Sequence, residues 1–274
     1  MRTLICVPAR IGSTRFPRKP LHAISGRSLL ERVVQVARVA AKQTGSDYVV
    51  AVDHEEVAEH CRHIGAPFVM TDPEHPSGTD RALAASRVHG THPEFVLNLQ
   101  GDAPFTPPEH VSALIQAAAM RPDADVFTPV IRLDWDGLDA LREHKKAHPF
   151  SGTTCVRKDD GTALWFSKNI LPAIRKEEKL RETDKLSPVF RHIGLYGYRV
   201  DALERFNELG LGYYEQMEGL EQLRFLENGM VVHGEEVQPP KLSMSGVDTP
   251  SDAELAAQLI AKFGDPFDHL ETGL

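Results

Sequence analysis

Four cations, Arg10, Arg15, Arg18 and Lys19, fall within ten residues near the start of the chain, in the stretch VPARIGSTRFPRKPL. Gly12, Ser13 and Thr14 lie among them. Small residues leave backbone N–H groups exposed and the cations add charge, a combination that suits a polyphosphate. The spacing is neither that of a P-loop nor that of a dinucleotide-binding glycine fingerprint. Taken alone, the segment also reads as a solvated basic loop.

Three further stretches carry candidate chemistry. NLQGDAP (98–104) puts Asp102 directly after an apolar run, where a strand end would hold a carboxylate rigidly for a metal ion. An ordinary turn aspartate reads the same way. In GVDTPSD (246–252), Thr249, Ser251 or Asp252 suits a helix cap, which leaves Asp248 ahead of the cap for another task. Two carboxylates from distant loops are a usual way to hold Mg²⁺ beside substrate phosphates. HPSGTDR (75–81) sets Gly78 and Thr79 at a helix start with Arg81 in the first turn, which suits a nucleotide pocket, although Thr79 equally fits a plain N-cap. The groups His54, His60, Cys61 and His63, and His144 with His148, read as solvated polar positions rather than metal ligands.

These residues need a frame that brings loop ends together. TLICVP, DYVVAVD, PFVMT, EFVLNLQGD and DVFTPVIR read as strands, and helical periodicity separates them, as in SLLERVVQVARVAAKQTG. Such alternation predicts an α/β fold built on a mostly parallel twisted sheet with helices on both faces. Ligands then sit at the carboxyl ends of strands, so the loops after Val7, Met70 and Leu99 should converge. Beyond residue 131 the pattern loosens. TTCVRKDDGTALWFS predicts a hairpin with an Asp-Asp-Gly turn, AIRKEEKLRETDKLSP a solvated loop, and MEGLEQLRFLENG one helix ending at Gly229, with Leu220, Leu223 and Leu226 as its core stripe.

The 274 residues, 41% hydrophobic, suffice for one large domain or a domain with a subdomain. A net charge of −8 excludes general attraction to nucleic acid or to an anionic membrane, so any anion must be met by a local cluster. No run of 18 apolar residues occurs, and no membrane insertion is expected. The start, with no basic segment ahead of a long apolar stretch, predicts a cytoplasmic protein. Cys6, Cys61 and Cys155 lack metal-ligand spacing and read as buried thiols.

Seven motifs stand in order along the chain: PARIGSTRFPRKPL, SGTDR, QGDAP, ALWFSK, HIGLY, LEQLR and VDTP. In this combination the chain resembles the cytidylyltransferases that activate 3-deoxy-manno-octulosonate (KDO), the CMP-KDO synthetases. The match thins between about residues 131 and 160 and between 172 and 188.

The resemblance implies a fold of the nucleotide-sugar transferase type with a smaller α+β lobe. It implies a nucleotide-binding core over 1–130 plus 221–274, and a sugar-binding and dimerisation lobe over 131–220. The implied reaction moves CMP from CTP to the anomeric hydroxyl of an acidic 3-deoxy sugar, with Mg²⁺ required and pyrophosphate released, in a homodimer. Carried over by position, Arg10, Ser13, Arg15 and Lys19 would hold the triphosphate. Ala9, Ser77, Gly78 and Arg81 would hold base and ribose, and Asp102 and Asp248 the Mg²⁺. By the same resemblance, Arg10, Lys19, Asp102 and Asp248 would form the catalytic set. Gln100, Lys168, His192, Tyr196, Glu221 and Gln222 would line the sugar pocket. Arg18 stands where the family has Gly, Ala103 where it has Glu or Gln, and Lys168 where it has Arg. These departures leave open an amino-substituted or shortened relative such as 8-amino-KDO; a sialic-acid-like sugar, whose synthetases share the PAR opening but not SGTDR, HIGLY and LEQLR, and a nucleotide-binding paralogue without catalysis are the alternatives.

Overall fold

The structure, a computed structural model, describes residues 1–13, 15–75, 77–242, 244 and 246–271; Thr14, in the basic loop, lies outside the described residues. The opening apolar run forms β1 (Thr3–Ala9), every residue of which is buried. A loop and a single 3-10 turn at Lys19–Leu21 lead to a small hairpin, β2 (Ala23–Ile24) and β3 (Arg27–Ser28). The Ser28 hydroxyl then caps α1 (Leu29–Thr44) by accepting the Glu31 N–H, and Gly45, at φ 66°, ends the helix. Alternation continues through β4 (Asp47–Val52), α2 (Glu55–His63), β5 (Phe68–Met70), α3 (Gly78–Val88), β6 (Phe95–Asn98) and α4 (Pro108–Met120). Next come β7 (Val126–Asp134), α5 (Trp135–Ala147), the hairpin β8 (Thr154–Arg157) and β9 (Ala163–Ser167), α6 (Glu177–Thr183) and β10 (Leu186–His192). The chain closes with β11 (Tyr196–Arg199), α7 (Val200–Asn207), α8 (Tyr213–Glu218), α9 (Gln222–Glu227), β12 (Val232–Glu236), α10 (Pro250–Phe263) and α11 (Pro266–Glu271).

Two compact units result. The first comprises Met1–Gln116, Leu195–Asp201 and the chain from Pro240 onward; the second comprises Ala117–Gly194 and Ala202–Pro239. This division differs from the expected 1–130 plus 221–274 against 131–220. Strand β12 pairs with β7, and β7 with β10, so residues 117–130 and 221–239 pack with the middle of the chain.

In the first unit β5, β4, β1 and β6 run parallel in that order, and β11 pairs antiparallel with β6. In the second, β12 lies parallel to β7, whereas the pairs β7–β10, β10–β8 and β8–β9 are antiparallel. The fold is therefore a mixed α/β sheet, mostly parallel only where helices supply the crossovers. The short Asp159-Asp160-Gly161 turn, with Gly161 at φ 88°, permits only an antiparallel neighbour.

Burial in the first unit explains how the loops are held. Small residues Ala82 and Ala85 let α3 lie close against Leu4, Cys6, Val49, Ala51 and Val96. A second cluster joins Phe16, Ile24, Leu29, Phe105, Val247, Ala253 and Ile260. Its members Phe16, Phe105 and Val247 come from the three loops that carry Lys19, Asp102 and Asp248, so one apolar cluster pins all three. Burying a phenylalanine is worth about 1.5–3 kcal/mol, and Phe16, 6% exposed, anchors the basic loop in this way.

Two local expectations change. The segment read as a solvated loop contains α6, because its charges find partners: the Glu177 carboxylate accepts a bidentate pair from Arg142 at 2.8 and 2.7 Å and a third hydrogen bond from Arg181 at 2.7 Å. The stretch read as one helix is two, α8 and α9, interrupted at Gly219 with φ 63°; Phe225, 1% exposed, joins Leu220 and Leu223 in the core while Leu226 is only half-buried.

Candidate active site

The basic loop is closed by its own peptides. The Ile11 carbonyl accepts the N–H groups of Ser13 at 3.0 Å and Arg18 at 3.4 Å, and the Lys19 N–H reaches the Phe16 carbonyl at 3.2 Å. The Ser13 hydroxyl accepts the Phe16 N–H at 3.2 Å, so this residue shapes the loop internally. Arg18 takes the left-handed conformation, φ 56° and ψ 26°, and pairs with Glu56. The loop thus keeps a glycine-like turn with an arginine in it, at a strain of about 1–2 kcal/mol. Arg10 and Arg15 stand exposed at the head of the loop.

Lys19 is the centre of the arrangement. Its ammonium donates to Asp102 Oδ2 at 2.9 Å and to Asp248 Oδ1 at 3.1 Å, and Arg15 adds a contact to Asp248 Oδ1 at 3.3 Å. Burial pushes the Lys19 pKa down, but the charge of Asp102 and the hydrogen bonds to both carboxylates outweigh it and hold it above the ordinary value. Three sequence stretches more than 80 residues apart in the chain therefore meet at one ammonium.

Backbone geometry fixes the two carboxylates. A Cβ on Gly101 would lie far inside van der Waals contact with the Pro8 carbonyl oxygen and 3.3 Å from the Pro8 carbonyl carbon, so only glycine lets this turn sit against the end of β1. The Asp102 carbonyl accepts the Val247 N–H at 2.8 Å, which ties the Asp102 loop to the Asp248 loop. Thr249 caps α10 in a capping box with Asp252, whose Oδ2 also accepts the N–H groups of Asp248 at 3.0 Å and Thr249 at 2.8 Å. Asp248 thus lies ahead of the cap, with its side chain turned to Lys19.

Helix α3 begins differently from the simplest expectation. Ser77, not Thr79, is the N-cap: its hydroxyl accepts the Asp80 N–H at 3.1 Å while Asp80 Oδ2 accepts the Ser77 N–H at 3.1 Å. Gly78 has Pro8 Cγ, Gln100 Oε1 and Asn98 Nδ2 near the place a Cβ would take, at 3.6, 3.6 and 3.7 Å. Ala9, at the end of β1, is buried. Arg81 is wholly buried, with Nη1 donating to Thr71 Oγ1 at 2.5 Å and Nη2 3.5 Å from Asp53 Oδ2.

The remaining candidates divide between the units. Gln100, half-buried, and Tyr196, stacked on Tyr198 at 6.0 Å between centroids, belong to the first. Lys168, His192, Glu221 and Gln222 belong to the second. There the His192 imidazole meets Thr128 Oγ1 at 2.9 Å, and burial, with the Lys168 charge, pushes its pKa down to about 3, so it is neutral at physiological pH. The Lys168 N–H donates to Glu218 Oε2 at 2.7 Å, and Glu218 Oε1 accepts the Ser167 hydroxyl at 2.7 Å. Gln222 is 2% exposed and its Nε2 has no hydrogen-bond partner among the described residues. Glu221 occupies the N-cap position of α9.

A cytidylyltransferase family model matches residues 4–236. A 3-deoxy-manno-octulosonate cytidylyltransferase of Maricaulis maris (strain MCS10) is 39% identical over 266 residues, covering 97% of this chain and 99% of its own. The chain belongs to this family. The enzyme of the same description from Chelativorans sp. (strain BNC1) is likewise 39% identical, over 95% of this chain and 98% of its own. Among solved structures, a CMP:2-keto-3-deoxy-manno-octonic acid synthetase complexed with CTP superposes with TM-score 0.80 at 31% identity, covering 96% of this chain and 99% of that one. A cytidylyltransferase from Leptospira borgpetersenii, TM-score 0.60 at 13% identity, shares the fold.

Sequence reasoning passed over Asp53, Gly101 and Phe16. Asp53 follows β4, and the same strand-end rule that singled out the loops after β1 and β6 applies to it. Among the described residues no three His, Cys, Asp or Glu side chains gather to hold a metal, and no helix is long and apolar enough to cross a membrane.

Proposed function

We propose that the protein transfers CMP from CTP to the anomeric hydroxyl of KDO or a close KDO-like sugar acid and releases pyrophosphate. The observation that carries this reading is the Lys19 ammonium shared by Asp102 and Asp248 at the end of the first strand, in a chain of the KDO cytidylyltransferase family. Arg10, Arg15 and Lys19 meet the triphosphate, where charge concentrates on the departing pyrophosphate as the α-phosphorus is attacked. Positioned cations and in-line geometry supply most of what such a displacement needs.

The acidic pair fits Mg²⁺. Two carboxylates that already share one cation suit a hard ion that takes its remaining ligands from water and phosphate. Asp102 and Asp248 would hold it, and when bound it supplies further neutralisation of the phosphate charge. Ala9, Ser77 and Gly78 shape the base and ribose side. By the family resemblance, Lys168 is the second unit's candidate for the sugar carboxylate and neutral His192, Glu221 and Gln222 its candidates for sugar hydroxyls, while Gln100 and Tyr196 are the first unit's candidates for the sugar. We place the reaction in the cytoplasm, where CTP is made. We also propose a homodimer formed through the second unit, supported by the exposed apolar side chains of Leu211, Tyr213, Tyr214 and Met217 on and beside α8.

Lys168 and Ala103 support a second reading, an amino-substituted relative of KDO, since lysine cannot grip a carboxylate in the bidentate manner of arginine. Pyrophosphate release from CTP and Mg²⁺ is measured with KDO, 8-amino-KDO, a sialic acid and no sugar, with Asp102→Ala as control. Release with an octulosonate that the variant abolishes is the expected result. A folded protein that binds CTP but is silent across the panel refutes catalysis.

A further inference from the structure

Asp53 lies just past β4, and its side chain is only 7% exposed. One carboxylate oxygen, Oδ1, accepts the Ile11 N–H at 3.0 Å; the other faces Arg81 Nη2 at 3.5 Å. Ile11 is the node of the basic loop, because its carbonyl takes the N–H groups of both Ser13 and Arg18. With Asp53 on its N–H, both ends of that residue are held. Arg10 precedes the node directly, and Arg15 and Lys19 follow within the loop it closes.

Arg81 shows what faces Asp53 from the other side. The guanidinium has no exposed surface, and its contacts are inward, to Thr71 and Asp53. Thr71 in turn donates to the Val52 carbonyl at 3.0 Å, one residue before Asp53. The Arg81 Nε and Nη2 have no hydrogen-bond partner among the described residues, so the link to Asp53 is electrostatic rather than a closed hydrogen bond. Such a guanidinium is a buried counter-charge, not a hand extended to a ligand.

We infer that Asp53 is a positioning residue for the triphosphate loop, acting through the Ile11 N–H, and that Arg81 serves the nucleotide only through Asp53. The inference rests on the proposed use of that loop to bind CTP. A loop fixed before the ligand arrives loses less freedom on binding. Releasing the Ile11 anchor therefore weakens CTP while leaving the affinity for the sugar largely as it was.

The test compares wild type, Asp53→Ala, Asp53→Asn and Arg81→Gln by calorimetric titration with CTP, steady-state kinetics in both substrates and thermal melting. Removing a hydrogen bond to a charged acceptor corresponds to about 10- to 100-fold, so Asp53→Ala should raise the CTP Kd and KM by that factor with the sugar KM changed less than about 3-fold. Asp53→Asn keeps an acceptor for Ile11 but leaves Arg81 uncompensated. It should recover CTP affinity to within about 3-fold of wild type while melting lower, a split that a merely structural residue does not give. Arg81→Gln should weaken CTP less than Asp53→Ala does. Unchanged CTP affinity in Asp53→Ala overturns the inference, as does an Asp53→Asn as weak as the alanine variant, or an Arg81→Gln weaker than Asp53→Ala. Because CTP binding is read without turnover, a wild type that binds CTP but releases no pyrophosphate defeats the proposed reaction and leaves this test intact; a wild type that does not bind CTP defeats both.

Discussion

Replacing Gly101 with alanine puts a methyl group against the Pro8 carbonyl, well inside the 3.0 Å that real Cβ contacts respect. Neither partner is the tip of a flexible side chain: Pro8 is paired within β1, and the next residue, Asp102, is tied by its carbonyl to Val247. The turn must therefore retreat by about 1 Å, and overpacking of this kind costs about 1–3 kcal/mol. At about 2 cal/mol/K of unfolding entropy per residue, a chain of 274 residues loses about 2 °C of Tm per kcal/mol, so the expected fall is about 2–5 °C. The same retreat draws the Asp102 carboxylate from Lys19, now at 2.9 Å, and a misplacement of about 1 Å can cost about 100-fold in kcat/KM. Pyrophosphate release and a thermal melt read the two effects together. Gly210→Ala, where a Cβ meets nothing within 4 Å, serves as the control and should change neither. Wild-type kcat/KM and Tm in Gly101→Ala would refute the close approach as the reason for glycine.

Arg18→Gly relieves a left-handed strain of about 1–2 kcal/mol, against about 0.5–1 kcal/mol of added unfolded-state entropy and a solvent-exposed pair to Glu56 worth little. A Tm raised by up to about 2 °C with unchanged kcat/KM is expected, and a clear fall in Tm contradicts the account. Glu177 is drawn down to about 2 by hydrogen bonds from Arg142 and Arg181. Its folded pKa lies below the ordinary 4.5, so the stabilisation is complete above that value and is lost as pH falls toward 2. Glu177→Gln should flatten the dependence of the urea midpoint on pH between about 5 and 2; an unaltered slope there rules the carboxylate out as a source of acid sensitivity.

Much of this frame was legible because local rules agreed with the global fold. TLICVP had to be buried on both faces, and a carboxylate one residue ahead of a Thr cap had to point away from its helix, as Asp248 does. Ser77 and Thr79 were harder to separate, since both are good caps and Asp80 supplies the reciprocal acceptor only at the spacing from Ser77. The segment around α6 misled because charge content predicts solvation until the partners, Arg142 on α5 and Arg181 on α6 itself, are in place. The burial of Arg81 beside Asp53 was not legible at all, because it is an interaction spanning 28 positions that no local pattern encodes. The need for glycine at 101 arises the same way, from a backbone 93 positions earlier.

The three cysteines give the molecule an internal set of reporters. Cys6, Cys61 and Cys155 are unpaired and buried, and burial pushes their pKa values up to about 12, 11 and 12. Alkylating reagents attack the thiolate, so at neutral pH each sulfur is silent for as long as its surroundings stay folded. Two of them lie in the first unit and one, on β8, in the second. Alkylation timed by mass spectrometry thus follows the opening of each unit separately, with no label introduced, and a common rate at all three would mark the chain as unfolding in one cooperative event.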